Sequence, residues 1–194
     1  MFNQSLFTYL VRAMVLLTAI PIHECAHAWA SNKLGDPTAK NLGRLTLNPL
    51  PHLDLIGSVL MLFTGFGWAK PVPVTTRNFK NVKKGMILTA LAGPAANILL
   101  ALLSLILYKL WCYFLYPLLA INFTTASAIA QIFYIMCLLN INLAVFNLLP
   151  IPALDGSKVV FTVIEWIRGK PINRKVEAVI HAVGFVLLIG FAVL

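Results

Sequence analysis

Charge is what this chain has least of. Of 194 residues only 15 are Lys or Arg and 6 are Asp or Glu, so 11% are charged, against about 25% in an ordinary soluble domain. With 60% of residues hydrophobic, the composition is that of a membrane protein. Cysteine is scarce too. Cys25, Cys112 and Cys137 are scattered through apolar runs without paired spacing, which excludes a disulfide framework and leaves them as small hydrophobes. The N-terminus lacks the basic n-region and small-residue cleavage site of a signal peptide, so Leu6–Trp29 is expected to stay in the mature protein. There is no room for a separate soluble domain, and residues 1–194 read as a single membrane-embedded unit. The net charge of +9 does not point to nucleic acid, because Lys and Arg fall between apolar spans, where orientation and anionic lipid headgroups account for them.

The apolar runs set the fold class: an all-α polytopic membrane protein with about four full transmembrane helices. Gly85–Tyr108 is 24 residues without a charge and Leu110–Leu154 is 45, where 18 already make a candidate span. The expected spans are about Leu6–Trp29, Met86–Tyr108, Ala126–Leu149 and Val176–Leu194. Leu55–Gly67, thirteen residues, is too short to cross and reads as a re-entrant helical segment. Trp68–Val74 follows as a small membrane-associated strand, extended because residues before proline avoid helical geometry. Pro71 and Pro73 spoil one edge of that strand and leave the other able to pair; a simple surface linker is the alternative. Thirteen of the fifteen basic residues lie in 31–54, 68–85 and 150–176, with Arg12 and Lys109 the exceptions. The positive-inside rule places those segments in the cytoplasm.

Within the first span, His23-Glu24-Cys25-Ala26-His27 carries the chemistry. Histidines four apart on a helix share a face and can offer two imidazoles to one metal ion, with Glu24 close enough to act as general base on a bound water. Pro21 falls just before the motif and is expected to kink the helix. A catalytic zinc takes three protein ligands and keeps an open position. Asp54 and Asp155 compete for the third place, both after proline-broken approaches, and His52 is a further contender. Asp155 is delivered by a long amide-bearing span to the depth of the histidines. Asn97, in Gly93-Pro94-Ala95-Ala96-Asn97, reads either as interhelical glue or as a group facing a polar cavity. His181 reads as a structural hydrogen-bonding residue.

His23–His27, Gly93–Asn97 and Asn147-Leu148-Leu149-Pro150-Ile151-Pro152-Ala153-Leu154-Asp155-Gly156 together resemble the site-2 protease family of intramembrane zinc metalloproteases. Gly43–Pro49 and Phe66–Val74 are similar to its compact prokaryotic branch, without PDZ or CBS domains or a span before the motif helix. The resemblance implies one Zn2+ per chain held by His23, His27 and Asp155, with Glu24 as base. It also implies substrate handling by Asn97, and an extended substrate held along the strand at Trp68, Val72 and Val74. The expected substrate is a membrane protein with a transmembrane segment, cleaved in the bilayer on its cytoplasmic side. Two other readings share the motif. An ion-binding transporter or channel predicts internal repeats, which the chain lacks. A membrane zinc hydrolase acting on a non-peptide bond has the same metal site.

Overall fold

The computed structural model describes residues 6–119 and 122–193. The chain is helical almost throughout. α1 (Leu6–Lys33), α3 (Val82–Leu119) and α4 (Phe123–Leu148) are each long and apolar enough to cross a membrane. Between them lies α2 (Leu55–Thr64), and α5 (Asp155–Arg168) and α6 (Arg174–Val193) complete the order. α3 is the hub, packing against α4, α1 and α5. The fourth expected span falls on α6, twenty residues that carry Glu177 and His181 in their first half.

Proline shapes two of the long helices in the same way. Pro21 and Pro117 cannot donate a backbone hydrogen bond, and each is preceded by a π-helical turn, Val15–Ala19 and Trp111–Leu115. In these turns Ile20 N–H reaches Val15 O and Tyr116 N–H reaches Trp111 O, five residues back. The ladder slips by one residue and absorbs the defect within a continuous helix. Pro94, by contrast, sits inside α3, and the helix runs on through it.

α2 enters and returns. At 1.5 Å per residue its ten residues span roughly 15 Å, half of a hydrocarbon core about 30 Å thick. Asp54 caps its start by accepting from Gly57 N–H at 2.9 Å, and Gly65 ends it in the left-handed region at φ 85°. The chain then runs back beside the helix. A Cβ on Gly57 would lie 2.3 Å from the Trp68 carbonyl oxygen, so the returning segment packs where only glycine leaves room. Leu53 and Ala69 form an antiparallel bridge, and Lys70 N–H donates to His52 O at 2.8 Å, which brings the two ends of the excursion together. That bridge is isolated. Segment 68–74 is non-helical but builds no strand among the described residues, so the expected small strand is a single pairing followed by open backbone.

Arg12 gives the end of α2 a partner. A helix end leaves carbonyls without partners, and in hydrocarbon each is costly. Arg12 Nη1, from α1, donates to Leu62 O at 2.7 Å. A cation against the negative end of a helix dipole is also favourable. Arg12 therefore serves the re-entrant hairpin.

Candidate metal centre

α1 sets His23 and His27 one turn apart with their rings edge to face, centroids 4.6 Å apart. Their Nε2 atoms face each other at 3.0 Å. Asp155, in the first turn of α5, places Oδ2 3.1 Å from each of them. All three side chains are buried. Among the described residues this is the one group of three or more His, Cys, Asp and Glu whose ligating atoms converge for a metal ion.

The hydrogen bonding of the far ring nitrogens tests whether a cation fits. His27 Nδ1 lies 2.7 Å from the Thr89 carbonyl, which can only accept, so Nδ1 carries the proton. His23 Nδ1 faces Asn97 Oδ1, also an acceptor. In the neutral rings both Nε2 atoms therefore present lone pairs, to each other and to a carboxylate oxygen. Three buried Lewis bases about 3 Å apart repel unless a cation lies among them, and two imidazoles with a carboxylate are a zinc donor set. Gly93 supplies the room. A Cβ there would fall 2.4 Å from His27 Nε2 and 2.6 Å from His23 Nε2, so the imidazoles rest directly on the α3 backbone.

Asp155 is held from two sides. Lys158 Nζ, one turn on, takes its Oδ1 at 2.9 Å and leaves Oδ2 to the histidines. The loop leading to it contains Ala153 at φ 80°, a left-handed conformation that costs a non-glycine residue on the order of 1 kcal/mol or more. His181, from α6, steadies that turn by accepting the Ala153 N–H on Nδ1 at 2.8 Å. His181 thus makes a structural hydrogen bond, the role expected of it. The other contenders for the third place lie elsewhere. Asp54 is the α2 cap. His52 is fully buried, with Nε2 2.8 Å from Thr46 O.

The cluster opens on a cavity of about 750 Å³ whose lining includes Glu24, Trp68, Val72, Val74, Asn147 and Lys158. Glu24 is partly buried and Arg44 is buried. Arg44 fastens the facing wall: its guanidinium donates to Lys70 O and to Pro71 O, the latter at 3.2 Å. A second anchor is Asp36, fully buried, which accepts from Thr75 N–H at 2.7 Å and Asn78 Nδ2 at 2.8 Å. Burial alone would raise its carboxyl; hydrogen bonds from Thr38, Asn78 and Thr75 outweigh that and hold it below the ordinary range. Between these anchors the N–H groups of Val72 and Val74 make no hydrogen bond among the described residues. Trp68 is edge-on to Phe185 of α6 at 5.2 Å. Asn97, expected to handle substrate, also lines this cavity. It is fully buried, its Oδ1 is on His23, and its Nδ2 donates to Asn140 Oδ1 at 2.7 Å. Arg44, Lys158 and Asn140 had no assigned part; the only sign of Asn140 in the sequence was its place among the amides of the third span.

Comparison with known proteins shows what the chain is similar to. The family model Peptidase family M50 matches residues 117–191. The putative zinc metalloprotease YwhC of Bacillus subtilis (strain 168) is 43% identical over 156 residues, 80% of this chain and 69% of that protein. Zinc metalloprotease RasP of Geobacillus kaustophilus (strain HTA426) is 49% identical over 68 residues, 34% of this chain and 16% of the relative. Probable protease eep of Enterococcus faecalis is 46% identical over 59 residues, covering 30% and 14%. The chain thus spans about two thirds of the first relative and only a small part of the other two. No solved structure matches.

Proposed function

The chain belongs to peptidase family M50, the site-2 protease family of zinc metalloproteases, and on that premise we propose that it hydrolyses a peptide bond in or near transmembrane segments of membrane proteins. One observation carries the reading. The buried His23, His27 and Asp155 cluster, the carboxylate of Glu24 and a stretch of unpaired extended backbone all line one cavity. One zinc per chain at the cluster would supply Lewis acidity, lowering the pKa of water and polarising a carbonyl. Glu24, which is not in the cluster, takes the proton from the attacking water and returns it to the leaving amine. Lys158 occupies Oδ1 of Asp155 and leaves Oδ2 facing the two histidines.

A substrate helix hides its carbonyls in its own hydrogen bonds and must unwind to be cut. Val72 and Val74 offer replacement donors, so an extended substrate would add to that edge by β-augmentation. Trp68 shapes the cavity at the start of the segment, and Arg44 fixes its backbone. Water reaches the site from the cytoplasmic side, the side to which 13 of the 15 basic residues assign segments 31–85 and 150–176. Labelling from outside of a cysteine placed at position 80 would contradict that orientation.

The test is cleavage of a single-span membrane protein in detergent by wild type and Glu24→Gln. General acid–base participation is worth roughly 10² to 10⁴ in rate, so the variant should lose at least a hundredfold. Cleavage at near the wild-type rate would overturn the assignment of Glu24 as base.

A further inference from the structure

The two histidines of the metal cluster are held by unlike partners. His27 Nδ1 donates to a backbone carbonyl, Thr89 O, in the interior of α3. That carbonyl cannot rotate, and no side-chain substitution removes it. His23 Nδ1 donates to a side chain, Asn97 Oδ1. An amide can turn over and present its NH2 instead, and a donor at that point would force His23 into the other tautomer, with its proton on Nε2, the atom facing the metal site.

What prevents the turnover lies on another helix. Asn97 Nδ2 donates to Asn140 Oδ1 at 2.7 Å, and Asn140 Nδ2 donates to Met136 O at 2.8 Å. Met136 O is a carbonyl and can only accept, so it fixes which end of Asn140 is the donor. Asn140 then offers an oxygen to Asn97, and Asn97 in turn offers an oxygen to His23. Both asparagines have no exposed surface. A buried amide left facing a like group would lose its hydrogen bonds, which makes the order self-consistent in one direction only.

We propose that Asn97 and Asn140 are positioning residues for metal binding, forming a relay from the Met136 carbonyl that holds His23 in the tautomer with Nε2 free for the ion. The proposal rests on the reading of His23, His27 and Asp155 as the zinc ligands. It gives Asn97 a part in the centre itself, and it gives α4, which supplies no ligand, control over one ligand's proton.

An amide pair between two spans could instead simply hold α3 and α4 together. The same two helices offer a control. Trp111 Nε1 of α3 donates to Ala126 O of α4 at 2.9 Å, away from the cluster. The experiment is zinc affinity by chelator competition, beside thermal stability, on the full chain in detergent for wild type, Asn140→Leu, Asn97→Leu and Trp111→Phe. Loss of a group that orients a metal-ligating histidine typically costs 10- to 100-fold in affinity. Asn140→Leu should fall by that factor although it touches no ligand. Adding Asn97→Leu to it should cost little more, because the two act as one unit. Trp111→Phe should lower stability and leave zinc affinity within about twofold, the pattern of mere adhesion. Asn140→Leu with wild-type affinity would overturn the relay while leaving the ligand assignment intact. A wild-type chain whose zinc does not depend on His23 or Asp155 would instead remove the ligand assignment beneath it. Should the leucine variants fail to fold, ¹⁵N NMR of histidine-labelled, zinc-free wild type decides. A neutral His23 protonated on Nδ1 is expected, and one protonated on Nε2 would overturn the relay.

Discussion

The two walls of the cavity are built on opposite rules. On the metal side both histidines have their far nitrogens on fixed acceptors, and Asp155 has its second oxygen on Lys158. On the facing side the chain is tied at Lys70 and Pro71 by Arg44 and at Thr75 by Asp36, and the donors of Val72 and Val74 between those ties have no partner among the described residues. The difference fits what the proposed function asks of each wall. Ligands and a base have to be held in one geometry before the reaction begins. Backbone that receives an extended peptide must keep its hydrogen-bonding groups free until that peptide arrives. Backbone donors without partners are costly wherever water is excluded, and this wall is short and anchored at both ends.

The comparison breaks most sharply at Gly93, where the finished wall has no slack. Gly93→Ala should lower zinc affinity at least tenfold and abolish cleavage, since its Cβ would sit 2.4 Å from His27 Nε2. Alanine is the better helix former by about 1 kcal/mol, so circular dichroism should show α3 intact. Full zinc occupancy and activity in this variant would mean that the histidines do not rest on the α3 backbone.

On the open wall the same logic predicts the reverse pattern. Val72→Pro removes one free donor and touches nothing in the metal cluster. Zinc content should stay at the wild-type level while kcat/KM on a membrane substrate falls about fivefold, the worth of one hydrogen bond near 1 kcal/mol. Val72→Thr, which keeps the N–H, should cleave normally. Equal activity in both would detach segment 68–74 from substrate binding.

The smallest effect concerns the anchor. The Asp36 carboxyl is held below its ordinary range in the folded chain, so its hydrogen bonds contribute stability in full above pH of about 4. That contribution is lost as pH falls through the depressed folded value. As pH falls below about 4 the wild type should lose stability that Asp36→Asn does not, read as the difference in thermal unfolding. Parallel curves would show that Asp36 does not tie the wall as described.

What could be read from the residues divides along a similar line. His23, Glu24 and His27 are legible because their relation is local: one helix turn defines it. The spans and the short length of 55–67 follow from runs of apolar residues, again a local property. Asp155 is 128 residues from His27, and spacing alone left Asp54 and His52 as rivals; family resemblance chose among them. Asn140 and Arg44 depended on which face of one element meets another, a rotation that no single-segment pattern encodes. Arg12 counted in the sequence only as a charge on the far side, because the partner that gives it a role is the end of a different helix.

Metal content tests the central claim most directly. Zinc per chain should be measured in parallel on purified wild type, Glu24→Gln and Asp155→Ala. If His23, His27 and Asp155 are the ligands and Glu24 is the base, wild type and Glu24→Gln each carry one zinc and Asp155→Ala is depleted. A Glu24→Gln chain without zinc, or an Asp155→Ala chain that keeps a full equivalent, would contradict the account.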